Sequence, residues 1–146
     1  MKNQRGKIKL PLFQEFLDSP DTLWVLAGDR KLFTSEKDFL FPLLEYIDEL
    51  SYLHQQVTIL DKTVGNAAAL LSIKAGAARV YSPLGSQLAV ATLDRYQREY
   101  HFMEIVPFIQ DRHGQDMCPM EKLSLSGDMG PDEFYEAVKH SSFYRK

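Results

Sequence analysis

The chain has 146 residues, 45% of them apolar and 25% charged, with a net charge of −3 and a pI near 5.8. That balance excludes a disordered or fibrous chain, and the length suits one globular domain. A single cysteine, Cys118, excludes an intrachain disulfide, and with only four histidines (His54, His101, His113, His140) it excludes a cysteine-rich zinc site. The longest strongly apolar run, Val64 to Ile73, is far short of the roughly 20 residues a membrane span needs. The basic start has no apolar core behind it, unlike a signal peptide, so a cytoplasmic protein without a membrane partner is expected. Residues 1–9 carry four bases and no acid, whereas residues 10–60 carry nine acids and three bases. A flexible basic tail over residues 1–10 followed by one domain over 11–146 is expected, and the acidic remainder argues against nucleic acid as a partner.

In chain order, Pro11 to Asp18 reads as a short helix, with Pro11 at a first helical position and Leu12, Phe13, Phe16 and Leu17 on one apolar face. Thr22 to Ala27 and Lys31 to Ser35 read as strands joined by a tight turn at Gly28, hence an antiparallel hairpin. Phe39 to Leu53 has the apolar spacing of a helix. Val57 to Leu60 is the next strand, and Lys62 to Lys74 is a helix apolar on most sides, the pattern of a buried one. Then follow strand Ala78 to Ser82, helix Ser86 to Gln97, strand Tyr100 to Phe102, and a short helix from near Met103 to Arg112. Residues Gly114 to Gly130 read as mostly irregular, and Pro131 to His140 as a closing helix. A hairpin followed by βαβαβ predicts a three-layer α/β fold: a mixed five-stranded sheet with helices on both faces.

In such sheets ligands sit beyond the carboxyl ends of the parallel strands. That edge carries Asp61-Lys62-Thr63-Val64-Gly65-Asn66 and the segment from Ser82. Two readings of the first stretch stand side by side. In one, helix N–H groups and Gly65 admit a ligand that Asp61, Lys62 and Asn66 hold. In the other, Asp61 caps the helix, Gly65 packs and Lys62 is solvated. The loop Asp111 to Lys122 is dense in titratable groups; Cys118 with His113 as neighbour is a candidate nucleophile, but the balance of its neighbours favours an inert packed thiol.

Two segments, Asp61-Lys62-Thr63-Val64-Gly65-Asn66-Ala67-Ala68-Ala69-Leu70-Leu71 and Asp116-Met117-Cys118-Pro119-Met120-Glu121-Lys122, make the chain resemble a prokaryotic family catalogued as domain of unknown function 1893. The resemblance runs from about Leu23 to Leu123 and implies a cytidine-deaminase-like fold. Zinc deaminases of that fold place a His or Cys and a Glu at the start of one helix and Pro-Cys-x-x-Cys at the start of the next. Here the first helix opens with Val64-Gly65-Asn66-Ala67, and Leu84 and Gln87 stand where the two cysteines would be. The resemblance therefore implies a zinc-less member with no cofactor or metal and no zinc-dependent deamination. Residues and resemblance together lead to a domain binding a small polar ligand, a nucleotide or base, through Asp61, Lys62, Gly65, Asn66, Ser82, Cys118 and Glu121. The alternatives are a non-zinc enzyme using Cys118 or Asp61 with Lys62, and a non-enzymatic interaction module such as a homodimer.

Overall fold

The computed structural model describes residues 10–53, 56–111 and 113–141. The basic segment 1–9, His54 and Arg112 lie outside the described residues. Helix α1 (Leu10–Asp18) precedes hairpin β1 (Leu23–Ala27) and β2 (Arg30–Ser35). Then come α2 (Phe41–Glu49), β3 (Val57–Asp61), α3 (Asn66–Lys74), β4 (Ala77–Ser86), α4 (Gln87–Arg95), β5 (Glu99–Val106), α5 (Pro119–Leu125) and α6 (Pro131–Lys139). The five strands form one sheet in the order β2-β1-β3-β4-β5. Strand β1 runs antiparallel to both β2 and β3, while β3, β4 and β5 run parallel.

Side chains alternate across the sheet as the strand period requires. Leu23, Val25, Val57, Ile59 and Val80 face the larger core, closed by α2, α3, Ala89 and Leu93 of α4, and Phe134 and Val138 of α6. Trp24, Leu26, Leu60 and Tyr81 face the other way, onto Phe13 and Phe16 of α1. The sheet thus carries helices on both faces, as the βαβ pattern requires. Helix α3 is buried at every position from Asn66 to Ile73, which explains its lack of a polar stripe.

Several elements differ from the sequence expectation. Helix α2 ends at Glu49, with a separate 3-10 turn at Ser51–Leu53. Helix α3 begins at Asn66 rather than Lys62, because Val64 is drawn into a parallel bridge with Gly85. The Val64 amide donates to the Leu84 carbonyl at 2.9 Å and its carbonyl accepts from the Ser86 amide at 3.0 Å. Strands β4 and β5 are longer than expected and stay registered through Leu84↔Glu104, Gly85↔Ile105 and Ser86↔Val106. That pairing replaces the short helix expected from Met103. Pro83, which cannot donate to a ladder, falls between the registered pairs Ser82↔Phe102 and Leu84↔Glu104. Within the stretch expected to be mostly irregular, Pro119–Leu125 is helical, starting where Pro119-Met120-Glu121 suggests a helix start.

Candidate functional site

Because β1 is antiparallel to both its neighbours, β2 and β3 point the same way. Leu23 pairs with Ser35 on one side and Asp61 on the other. The segment after β2 therefore reaches the same sheet edge as the segments after β3 and β5. Between them lies a cavity of about 650 Å³. Its walls are Thr22; Asp38, Phe39 and Leu40 ahead of α2; Asp61, Lys62, Thr63, Gly65, Ala67 and Ala68 at the β3–α3 junction; Ile109, Gln110, Asp111 and His113 after β5; and Cys118 to Glu121 at the start of α5. Five of the seven candidate residues, Asp61, Lys62, Gly65, Cys118 and Glu121, meet there. Asn66 and Ser82 do not.

Glu121 organises this junction. Its side chain is buried, and its two carboxylate oxygens accept from the Asn66 amide at 2.9 Å and the Ala67 amide at 3.0 Å. These are orphan donors of the first turn of α3, and a carboxylate suits the positive end of the helix dipole. The helix is thus capped from α5, not by Asp61. Gly65 is explained by the same contact: a Cβ there would lie 2.5 Å from Glu121 Oε2. Its missing side chain admits Glu121 rather than an external ligand.

The Asn66 side chain turns away from the cavity. Its Nδ2 donates to Ser124 Oγ at 3.0 Å and its Oδ1 accepts from the Thr92 hydroxyl, so it ties α3 to α4 and α5. Ser82 is fully buried and bonded to the Leu84 backbone, its hydroxyl donating to the carbonyl and accepting from the amide. Lys62 lies at the cavity wall, but its ammonium donates to the Ser19 and Asp21 carbonyls at 2.9 and 2.7 Å and sits 4.7 Å from the Phe16 ring centre. It anchors the α1–β1 connection instead of standing solvated.

Asp61, the last residue of β3, is partly buried. Desolvation pushes its pKa up from 3.8 to about 7, against the opposing pull of the Thr63 and Lys62 amides and the Lys62 charge. The rim after β5 is a tight loop bridged at Gln110↔Met117. Asp111 accepts from the His113 and Gln115 amides, and these backbone bonds, Gln115 first, hold its carboxyl below the ordinary range. Cys118 immediately precedes α5 and is half-buried; its amide donates to the Ile109 carbonyl at 2.9 Å. Among the described residues its sulfur is hydrogen-bonded to neither His113 nor Lys122, whose ammonium pairs with Asp116 at 2.7 Å.

Phe39 and Leu40 are the rim residues that motif reading misses. Phe39 is 56% exposed and has a φ of 61°, a region that aromatic residues rarely enter. No sequence pattern signals that backbone state. The β2–β1–β3 pairing would have placed the segment at this edge.

The donor set does not fit a zinc ion. Among the described residues no group of three or more His, Cys, Asp or Glu side chains could hold a metal. Glu121 is committed to helix amides. At the start of α4, Ser86 caps the helix by accepting from the Ala89 amide, and Gly85 packs against the Phe102 ring.

A search of curated proteins returns no match. A crystal structure of a DUF1893 family protein, TM1506 from Thermotoga maritima, superposes with a TM-score of 0.78 at 27% identity, covering 90% of each chain. The family model described as domain of unknown function (DUF1893) matches residues 13–141. The chain therefore belongs to the DUF1893 family.

Proposed function

We propose that this protein is a zinc-less, cytidine-deaminase-like domain that binds a small polar molecule in the cavity at the carboxyl end of β3. The sheet order and the two parallel crossovers through α3 and α4 support the deaminase-like ancestry. The observation that carries the binding reading is the cavity itself. Its volume of about 650 Å³ lies within the range of small-molecule sites, and it joins an apolar wall (Leu40, Ala67, Ala68, Ile109, Met120) to a few convergent polar groups. Of the two ligand types considered, a base fits better than a nucleotide. A phosphate would seek the α3 amides, and Glu121 already holds them.

The test compares small molecules co-purifying with the native protein and with Thr63→Trp, which places an indole at an exposed point of the cavity mouth. Mass spectrometry is expected to find a compound enriched with the native protein and depleted from the variant. Identical profiles from two folded proteins would reject the site.

A further inference from the structure

The charges around the cavity narrow the ligand class. Among the described residues, Asp38, Asp61, Asp111 and Glu121 supply four carboxylates to its wall, against the Lys62 ammonium and the His113 imidazole. Several of these groups already have partners. Glu121 is held by the Asn66 and Ala67 amides, Asp111 by loop amides, and Lys62 by the Ser19 and Asp21 carbonyls. Asp61 lies partly buried at the wall, its carboxylate bonded to the Thr63 and Lys62 amides, while the nearby Lys62 ammonium is bonded to the Ser19 and Asp21 carbonyls. The same cavity has an aromatic rim at Phe39, a residue 56% exposed whose backbone is held in the left-handed region. An anion entering here meets like charge in a partly desolvated space. A cation meets a carboxylate and an aromatic face, the two groups that recognise organic cations.

We infer that the cavity takes a planar organic cation, an amidinium or a protonated aminoheterocycle, whose N–H edge pairs with Asp61 and whose ring lies along Phe39. This rests on the proposal that the cavity is a small-molecule site and adds the chemistry of the ligand. A carboxylate accepts two parallel N–H bonds from an amidine edge, so geometry and charge select together.

The experiment titrates the full-length protein at pH 8 with three near-isosteric probes: benzamidine, benzamide and benzoate. Calorimetry is expected to give benzamidine at least a tenfold lower Kd than either of the others. Asp61→Asn is expected to weaken benzamidine binding tenfold or more, and Phe39→Ala, on the exposed rim, severalfold. Thr63→Trp is expected to abolish it. Benzoate or benzamide binding as tightly as benzamidine, with Thr63→Trp still blocking, would overturn the cation class while leaving the cavity a ligand site. Unchanged benzamidine affinity in both Asp61→Asn and Phe39→Ala would overturn it as well. Absence of saturable binding by any probe overturns the inference, and the co-purification comparison then decides separately whether the cavity binds anything.

Discussion

Gly65 and Glu121 are matched: the carboxylate that caps α3 occupies the space a side chain at position 65 would need, at 2.5 Å from its Cβ. Glu121 is pinned by two amide donors and cannot swing aside without losing them. Glu121→Ala is therefore expected to cost about 2–4 kcal/mol, since it leaves two helix N–H groups buried without an acceptor. Gly65→Ala is expected to cost a comparable amount by expelling the same carboxylate. In the double variant the two losses should not add, because the clash disappears with the carboxylate. Urea denaturation of all four proteins checks this, and strict additivity would mean the contact is not what requires the glycine.

Asp61 makes a prediction about pH. Its carboxyl binds a proton more tightly folded, at about 7, than unfolded, at 3.8. The native state thus holds the extra proton between these values, and its stability falls as pH rises through that window. Asp61→Asn removes the ionisation. The variant is expected to be more stable than wild type above pH 7, with a margin that shrinks by roughly 1.4 kcal/mol per unit on acidification and vanishes near pH 4. Melting curves from pH 4 to 8 measure it, and a margin that grows on acidification would contradict the assigned direction.

Lys62 lines the cavity, but its ammonium is bonded to the α1–β1 connection. Lys62→Met keeps the aliphatic stem near Phe16 and removes the donors to Ser19 and Asp21. A loss of about 1.5–3 kcal/mol is expected, the range for a hydrogen bond to a charged group. A variant as stable as wild type would place Lys62 among the solvated lysines.

Tyr46 is fully buried, and its hydroxyl has no hydrogen-bond partner among the described residues. Burial also pushes its pKa up, in keeping with a dry surrounding. Tyr46→Phe deletes an unpaired polar atom and leaves the ring contact with Phe33 in place. It is expected to be neutral or to raise stability by up to about 1 kcal/mol. A loss above that would reveal a partner for the hydroxyl.

The order of elements and the sheet were legible because the hairpin turn, the period-2 strands and the all-apolar α3 each point to one local answer. The site was legible in part. The rule of the carboxyl edge named Asp61, Lys62 and Gly65, and the titratable loop named Cys118 and Glu121. What the sequence hid were contacts between distant positions. Val64 leaves the helical pattern because Gly85 pairs with it. Glu121 reaches helix amides 54 and 55 residues earlier in the chain. Asn66 opens α3, yet its side chain is claimed by Thr92 and Ser124. None of these pairings has a local signature.

Trp24 is the chain's only tryptophan, and it belongs to the smaller aromatic cluster on the α1 face. Its ring meets Phe16 edge-on with centroids 5.4 Å apart, its indole N–H donates to Asp21 at 2.6 Å, and the Lys31 ammonium lies 3.8 Å from its centre. Intrinsic fluorescence excited at the red edge of absorption therefore watches the α1 face of the sheet, with α1, the Asp21 turn and Lys31. Release of α1 from the sheet would shift that emission before the larger core opens. Lys62 touches both the cavity wall and the carbonyl of Asp21, so the same optical signal connects events in the cavity to a helix on the far side of the sheet.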